Sequence, residues 1–139
     1  MTIDTRRFFE ALASQMNAEP DRYRRLGEAY MTVGIVIGEF RVRLDFDGLR
    51  CDVADGDDVD LCDFRLEGPV EAWQQMFDDV AAHGRAVGLQ TVNSLVLLGD
   101  TIVLRGRDPM GLDKFSRFNQ TLQELLDGWA RLQPVPSHT

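Results

Sequence analysis

Cysteine is scarce. Cys51 and Cys62 are the only two in 139 residues, too few for a disulfide scaffold, and no Cys-x-x-Cys or Cys/His spacing suggests zinc, so no metal site is expected. Two reduced, buried thiols are expected instead. Long apolar runs are missing too: none approaches the eighteen or so residues of a membrane-spanning helix, which argues against a stable membrane anchor. The first residues, Met1-Thr2-Ile3-Asp4-Thr5-Arg6-Arg7, lack the apolar stretch and small-residue cleavage site of a signal peptide, which points to the cytoplasm. Basic charge is the third shortage. Fifteen Lys and Arg stand against 23 Asp and Glu, a net charge of −8, leaving no broad basic surface for phosphate backbones and speaking against nucleic acid.

What is present is ordinary for a soluble globular protein: 44% hydrophobic and 27% charged residues. The length suits one core. Residues 1–132 read as one domain, and 133–139, with two prolines, as a disordered tail. Residues 1–30 carry two helices, the first amphipathic through Phe8, Phe9, Leu12, Ala13 and Met16, the second starting after Pro20-Asp21.

Residues 32–67 read as a three-strand meander. From Thr32 to Phe46 the period is two, clearest where Phe40, Val42, Leu44 and Phe46 alternate with Arg41, Arg43 and Asp45. Asp47-Gly48 signals a two-residue type I′ turn. Closing there places Phe46 across from Leu49, Leu44 across from Cys51 and Val42 across from Val53. Asp45 would then meet Arg50, and Arg43 would meet Asp52, as opposite-charge pairs. An acidic loop, Asp55 to Asp60, precedes a third strand through Cys62, Phe64 and Leu66.

Gly68-Pro69 opens a helix over 69–83, whose Val70, Trp73, Phe77 and Val80 form one apolar stripe and which His83-Gly84 closes. Ser94–Leu98 and Thr101–Leu104 flank Gly99-Asp100 and read as strands within 94–107. Asp108-Pro109 starts the longest helix, 109–132, through Leu112, Phe115, Phe118, Leu122, Leu125 and Trp129. The expected fold is α+β: a mostly antiparallel sheet of about five strands, covered on one face by helices.

Signals for chemistry are few. The acidic loop fails the calcium pattern, because Asp60 stands where glycine is required and Leu66 where a bidentate Glu should sit. Asp79, His83 and Asp100 offer the one acid–base constellation, with His83 four positions after Asp79 on a helix. A His beside a terminal glycine also caps a helix without any catalytic duty. No nucleophile elbow, phosphate loop or dinucleotide fingerprint occurs, and no cofactor is expected. The remaining feature is apolar excess, ample for a single sheet-and-helix sandwich: most of it reads as ordinary core, and the functional reading is that the layers do not close fully and leave a hydrophobic cavity. Val33 to Ile37 is apolar on both sides, with Gly34 and Gly38 where a helix or ligand could approach.

Residues 40–126 resemble the sterol carrier protein 2 family of lipid-binding domains. The resembling features are the strand pair around Asp47-Gly48 and the stretch Cys62-Asp63-Phe64-Arg65-Leu66-Glu67-Gly68-Pro69-Val70-Glu71-Ala72-Trp73, a strand ending in Gly-Pro-x-x-x-Trp at a helix start. Leu95-Val96-Leu97-Leu98-Gly99-Asp100 and the amphipathic helix after it complete the likeness. The resemblance implies a five-stranded sheet with helices on one side, an apolar tunnel for sterols, fatty acids or acyl-CoA, and no catalytic residues. Thr101–Arg107 and the two N-terminal helices depart from the pattern.

Together these readings point to binding or carriage of a hydrophobic small molecule. Phe40, Val42, Leu44, Trp73, Phe77, Phe115 and Phe118 are the expected wall. Two rivals stay open: a small α+β cyclase or isomerase working through Asp79, His83 and Asp100, and an accessory protein whose stripe Phe118, Leu122 and Trp129 docks on a partner enzyme or a second copy.

Overall fold

The computed structural model describes residues 2–98 and 101–132. The sheet is assembled from two consecutive tight turns. β1 (Ala29–Ile37) turns at Gly38-Glu39 into β2 (Phe40–Gly48), and β2 turns at Gly48-Leu49 into β3 (Arg50–Val53). Both turns begin on a glycine with positive φ, 62° at Gly38 and 72° at Gly48, and no other residue type adopts positive φ among the described residues. That is the type II′ arrangement, with the unusual conformation at the first central residue.

This corrects two expectations. The stretch from Thr32 to Phe46 is two strands, not one. The type I′ turn at Asp47-Gly48 is also displaced, because it would require Asp47 to adopt positive φ. Moving the turn one residue along shifts the register by two. Phe46 faces Cys51, Leu44 faces Val53, Asp47 faces Arg50, and Asp45 faces Asp52. The expected Asp45–Arg50 and Arg43–Asp52 cross-strand pairs are therefore not formed. Arg43 pairs with Asp45 at 2.8 Å and Arg50 with Asp52 at 3.8 Å, each two residues along its own strand.

The third expected strand is present but not as part of a meander. β4 (Phe64–Gly68) runs parallel to β1 on its other side, and β5 (Val103–Gly106) pairs antiparallel to β4, giving the order β3-β2-β1-β4-β5. The acidic loop is the crossover this topology needs. Its 3₁₀ turn, Val59–Leu61, adjoins β1, β2 and β4. Val59 sits so close over Gly34 that a Cβ there would meet it at 2.6 Å. The small residue noted at position 34 thus makes room for the chain's own crossover.

The helices are α1 (Arg6–Ala18), α2 (Pro20–Arg24), α3 (Val70–His83), α4 (Val92–Leu98), α5 (Pro109–Asp127) and α6 (Trp129–Leu132). Thr5 caps α1 by accepting from Phe8 N, Asp108 caps α5 by accepting from Gly111 N, and Gly84, at φ 84°, closes α3. α4 replaces an expected strand. An apolar run such as Leu95-Val96-Leu97 suits either state, and here the start is decided by Thr91, whose hydroxyl accepts from Ser94 N at 3.2 Å. The long C-terminal helix also breaks at Gly128, where a Cβ would approach Gln15 Oε1 to 2.6 Å. None of the described helices is long and apolar enough to cross a membrane. The tail 133–139 and Gly99-Asp100 lie outside the described residues.

Alternation gives the sheet one apolar and one polar face. Val33, Ile35, Val42, Leu44, Phe64 and Leu66 are buried and join Phe8, Phe9, Trp73, Phe77, Phe115 and Leu122 of the helices in one core. Arg41, Arg43, Arg65, Glu67 and Arg105 occupy the other parity. Cys51 belongs to the core, whereas Cys62 lies outside it, and both are buried and free. Burial pushes both thiols up, Cys62 to about 11, so neither is a ready nucleophile. The outer side of β3 is occupied by α1: the Asn17 amide donates to Cys51 O and accepts from Cys51 N, both at 2.9 Å, while Arg6 donates to Val53 O and Ala54 O.

Asp63 fastens three elements together. Its Oδ2 accepts from Thr32 N at 2.9 Å and from Lys114 Nζ at 3.2 Å, and its own N–H donates to Thr32 Oγ1 at 2.8 Å. Burial pushes its carboxyl up, but the Thr32 amide and the Lys114 ammonium more than offset this, leaving it below the ordinary aspartate range. A lowered folded value stabilises fully above the unfolded value near pH 4, and the contribution is lost as pH falls through the folded one. Asp63→Asn is expected to cost about 1.5–3 kcal/mol at pH 7 and less in acid. Urea titrations at pH 7 and pH 3 check this: an equal loss at both would contradict the role assigned to the charge.

Candidate functional site

The expected wall residues fall into three surroundings. Val42, Leu44, Trp73 and Phe77 are fully buried, and Phe115 nearly so. Phe77 meets Phe8 edge-on at 4.9 Å, Phe8 in turn contacts Phe9 at 5.2 Å and Trp129 at 4.9 Å, and Phe115 meets Phe64 edge-on at 5.4 Å. Such spacings are those of a filled aromatic interior. Trp73 is fixed further by Nε1 donating to Val36 O at 3.0 Å. Phe40 is half-buried and stacks on Phe9 at 6.2 Å, and Phe118 is half-buried with the Arg117 guanidinium 5.2 Å above its ring.

Three surface concavities are lined by other residues altogether. One of about 290 Å³ lies between α1 and β3, one of about 600 Å³ beside α2, and one of about 500 Å³ where Gly38, Arg41 and Pro69 meet Thr101. All three are open to solvent, and none of the seven expected wall residues lines them. Of the stripe Phe118, Leu122 and Trp129, Leu122 is fully buried and Trp129 packs on Phe8, while Phe118 is half-buried.

Apolar side chains stay partly uncovered where α4 and α5 adjoin, and where α5 adjoins β5. Leu95 and Val96 of α4, Leu104 of β5 and Phe118 of α5 are each only partly buried against the core, and Leu97 is 69% exposed. Leu104 belongs to the core parity of the sheet through its pairing with Leu66. Sequence reasoning reached Phe118 but not Leu95, Val96 or Leu104, which it read as strands flanking Gly99-Asp100.

Asp79 and His83 do come together. His83 Nδ1 lies 3.0 Å from Asp79 Oδ1 and 3.1 Å from the Asp79 carbonyl oxygen. Asp79 is engaged at its other oxygen as well, where Oδ2 accepts from Val87 N at 2.8 Å. The pair therefore closes the end of α3 and holds the following loop, and His83 stands mostly exposed. Asp100, the third member, lies outside the described residues. No group of three His, Cys, Asp or Glu side chains among the described residues is placed to hold a metal ion.

The loop after α3 is attached in a consistent way. Ala86 N donates to Asp127 Oδ1 at 3.1 Å, Val87 N to Asp79 Oδ2, and Val92 N to Gln123 Oε1 at 2.7 Å, while Gln123 Nε2 donates to Asp127 Oδ1 at 2.8 Å. Burial pushes the Asp127 carboxyl up, against the pull of the Ala86 and Gln123 hydrogen bonds, and Glu124 adds to the rise while Arg85 opposes it.

No family model matches the sequence, and no curated protein matches it. Among solved structures the chain is similar to the solution structure of a conserved hypothetical protein from Thermus thermophilus for which a sterol carrier role has been suggested. The TM-score is 0.57 at 18% identity, over 100% of this chain and 95% of that one. The two share a fold, the α+β arrangement of a five-stranded sheet with helices and a long C-terminal helix.

Proposed function

We propose that this chain binds a hydrophobic small molecule, a lipid, sterol or fatty acyl compound, between the sheet and its helices, and performs no chemistry on it. The observation that carries this reading is the incompletely covered corner of the core. There Leu95, Val96, Leu104 and Phe118, on three different elements, retain accessible apolar surface beside a fully buried aromatic interior. The fold shared with a suggested sterol carrier supports the same reading. Phe118 and Phe40 contribute wall surface directly. Val42, Leu44, Trp73, Phe77 and Phe115 line a ligand chamber when the helix layer parts. Residues 1–132 act in this reading as one domain, and two unpaired buried thiols suit the reducing cytoplasm.

Titration of the purified chain with a fluorescent fatty acid tests the proposal, together with mass spectrometry of lipid extracted after denaturation. Saturable binding at micromolar concentration is expected. Phe118→Ser should weaken it about tenfold or more, since losing a buried aromatic contact costs roughly 1.5–3 kcal/mol. Neither extracted lipid nor saturable binding of fatty acid, sterol or acyl-CoA would overturn it.

A further inference from the structure

The segment from Arg85 to Leu98 differs from the rest of the covering layer in how it is held. Its hydrogen bonds to the body run from its own backbone, Ala86, Val87 and Val92 N–H, to side-chain oxygens of Asp127, Asp79 and Gln123. Its backbone–backbone bonds, Gln90 N to Val87 O and Leu95 N to Thr91 O, stay within the segment. It therefore belongs to no sheet ladder and no longer helix. Gly84 at φ 84° and Gly88 at φ 57° stand at and near its start, with open space around both, so no packed side chain opposes movement there. Within it, Gln90 Oε1 is buried without a partner, a penalty the closed position bears and an open one would relieve. The inward side chains Ala86 and Val92 are buried, whereas Val87, Leu89 and Leu97 face outward, Leu89 at 67% exposure. Gln123, the latch for Val92, also touches Met76 Sδ at 3.9 Å, so the core lies directly behind the latch.

We infer that Arg85–Leu98 is a hinged strap, latched shut by Asp79, Gln123 and Asp127, whose opening as a unit admits the hydrophobic ligand to the interior. The ligand half of this inference rests on the proposed function; the strap's independent opening does not. A filled interior and a binding function are reconciled if the apolar wall is uncovered transiently, by release of three side-chain hydrogen bonds and withdrawal of Ala86 and Val92 from the core, without unfolding the sheet. The three latches sit on α3 and α5, so the body keeps its geometry while the strap moves.

Hydrogen exchange of the unliganded full chain, read peptide by peptide, tests the strap. Peptides covering 85–98 should exchange well ahead of those covering β1 and β4 under native conditions. Gln123→Ala and Asp127→Ala should each accelerate the strap about tenfold while leaving β1 unchanged, and Asp127→Asn, which keeps an acceptor for Ala86 N, should restore slow exchange. Strap and β1 exchanging at one common rate, or both accelerating together in the variants, would overturn the hinge. Stopped-flow uptake of the fluorescent fatty acid tests the gate, with a faster rate expected in Gln123→Ala. Binding at an unchanged rate would remove the gating role and leave the binding function standing. Independent strap opening without uptake of fatty acid, sterol or acyl-CoA would remove the binding function and, with it, the ligand half of this inference.

Discussion

Replacing Gly111 by alanine is expected to lower the thermal midpoint by about 10 °C, the largest effect of any glycine-to-alanine change among the described residues. Gly111 lies in the first turn of α5, and an added Cβ would land on the backbone carbonyl of Asp63, within the distance real Cβ atoms do not reach. The obstacle cannot swing aside as a flexible side chain would. The Asp63 carbonyl accepts from Arg107 N at 3.1 Å, and the Asp63 side chain is fixed by Thr32 and Lys114. Relief therefore requires α5 to back away from β4, loosening the Phe64–Phe115 contact. Alanine ordinarily favours a helix over glycine by about 1 kcal/mol, but overpacking against a fixed backbone costs about 3 kcal/mol or more. Calorimetry of Gly111→Ala beside Gly56→Ala, where a Cβ meets nothing within 4 Å, separates crowding from backbone entropy; equal midpoints would refute the packing argument.

Trp73→Ala is expected to cost roughly 3–5 kcal/mol, and Trp73→Phe a smaller amount of about 1–3 kcal/mol. The indole is fully buried, and its Nε1–H satisfies Val36 O on β1. Alanine leaves both a void and an unpaired carbonyl, whereas phenylalanine leaves mainly the carbonyl. Urea unfolding followed by circular dichroism measures the two losses. Equal losses would mean that the hydrogen bond, not the volume, holds α3 to the sheet. If the interior opens for a ligand, Trp73→Ala also enlarges the chamber, and bound fatty acid should recover part of the lost stability.

Most of the helices were legible because end signals and apolar stripes agreed: Asp108 and Gly84 stand where helices begin and end. The sheet was harder. Buried positions are odd at Val33, Ile35 and Ile37 and even at Val42, Leu44 and Phe46. That change of parity is the trace of the Gly38-Glu39 turn, which continuous alternation from Thr32 to Phe46 concealed. The register error at Gly48 was of a different kind: Asp-Gly suits two turn types, and only the sign of φ at Asp47 distinguishes them. The parallel pairing of β4 with β1 leaves no local mark, because it is set by a crossover whose one sequence clue was a glycine opposite Val59. The large aromatic side chains were readable as apolar excess, and most of those expected to form a wall lie in the filled interior. The half-covered corner depended on α4 being a helix, and its start is fixed partly by Gln123, some thirty residues away in the chain.

The Asn17 amide behaves towards Cys51 as a neighbouring strand would, donating once and accepting once at the ladder spacing. With Arg6 donating to the Val53 and Ala54 carbonyls, three carbonyls and one amide along the outer margin of β3 are already engaged by α1. Two polar side chains on a helix thus act as a terminator for sheet growth. They keep a five-stranded apolar platform from recruiting further strands into aggregates, a hazard that rises whenever its helical cover is lifted.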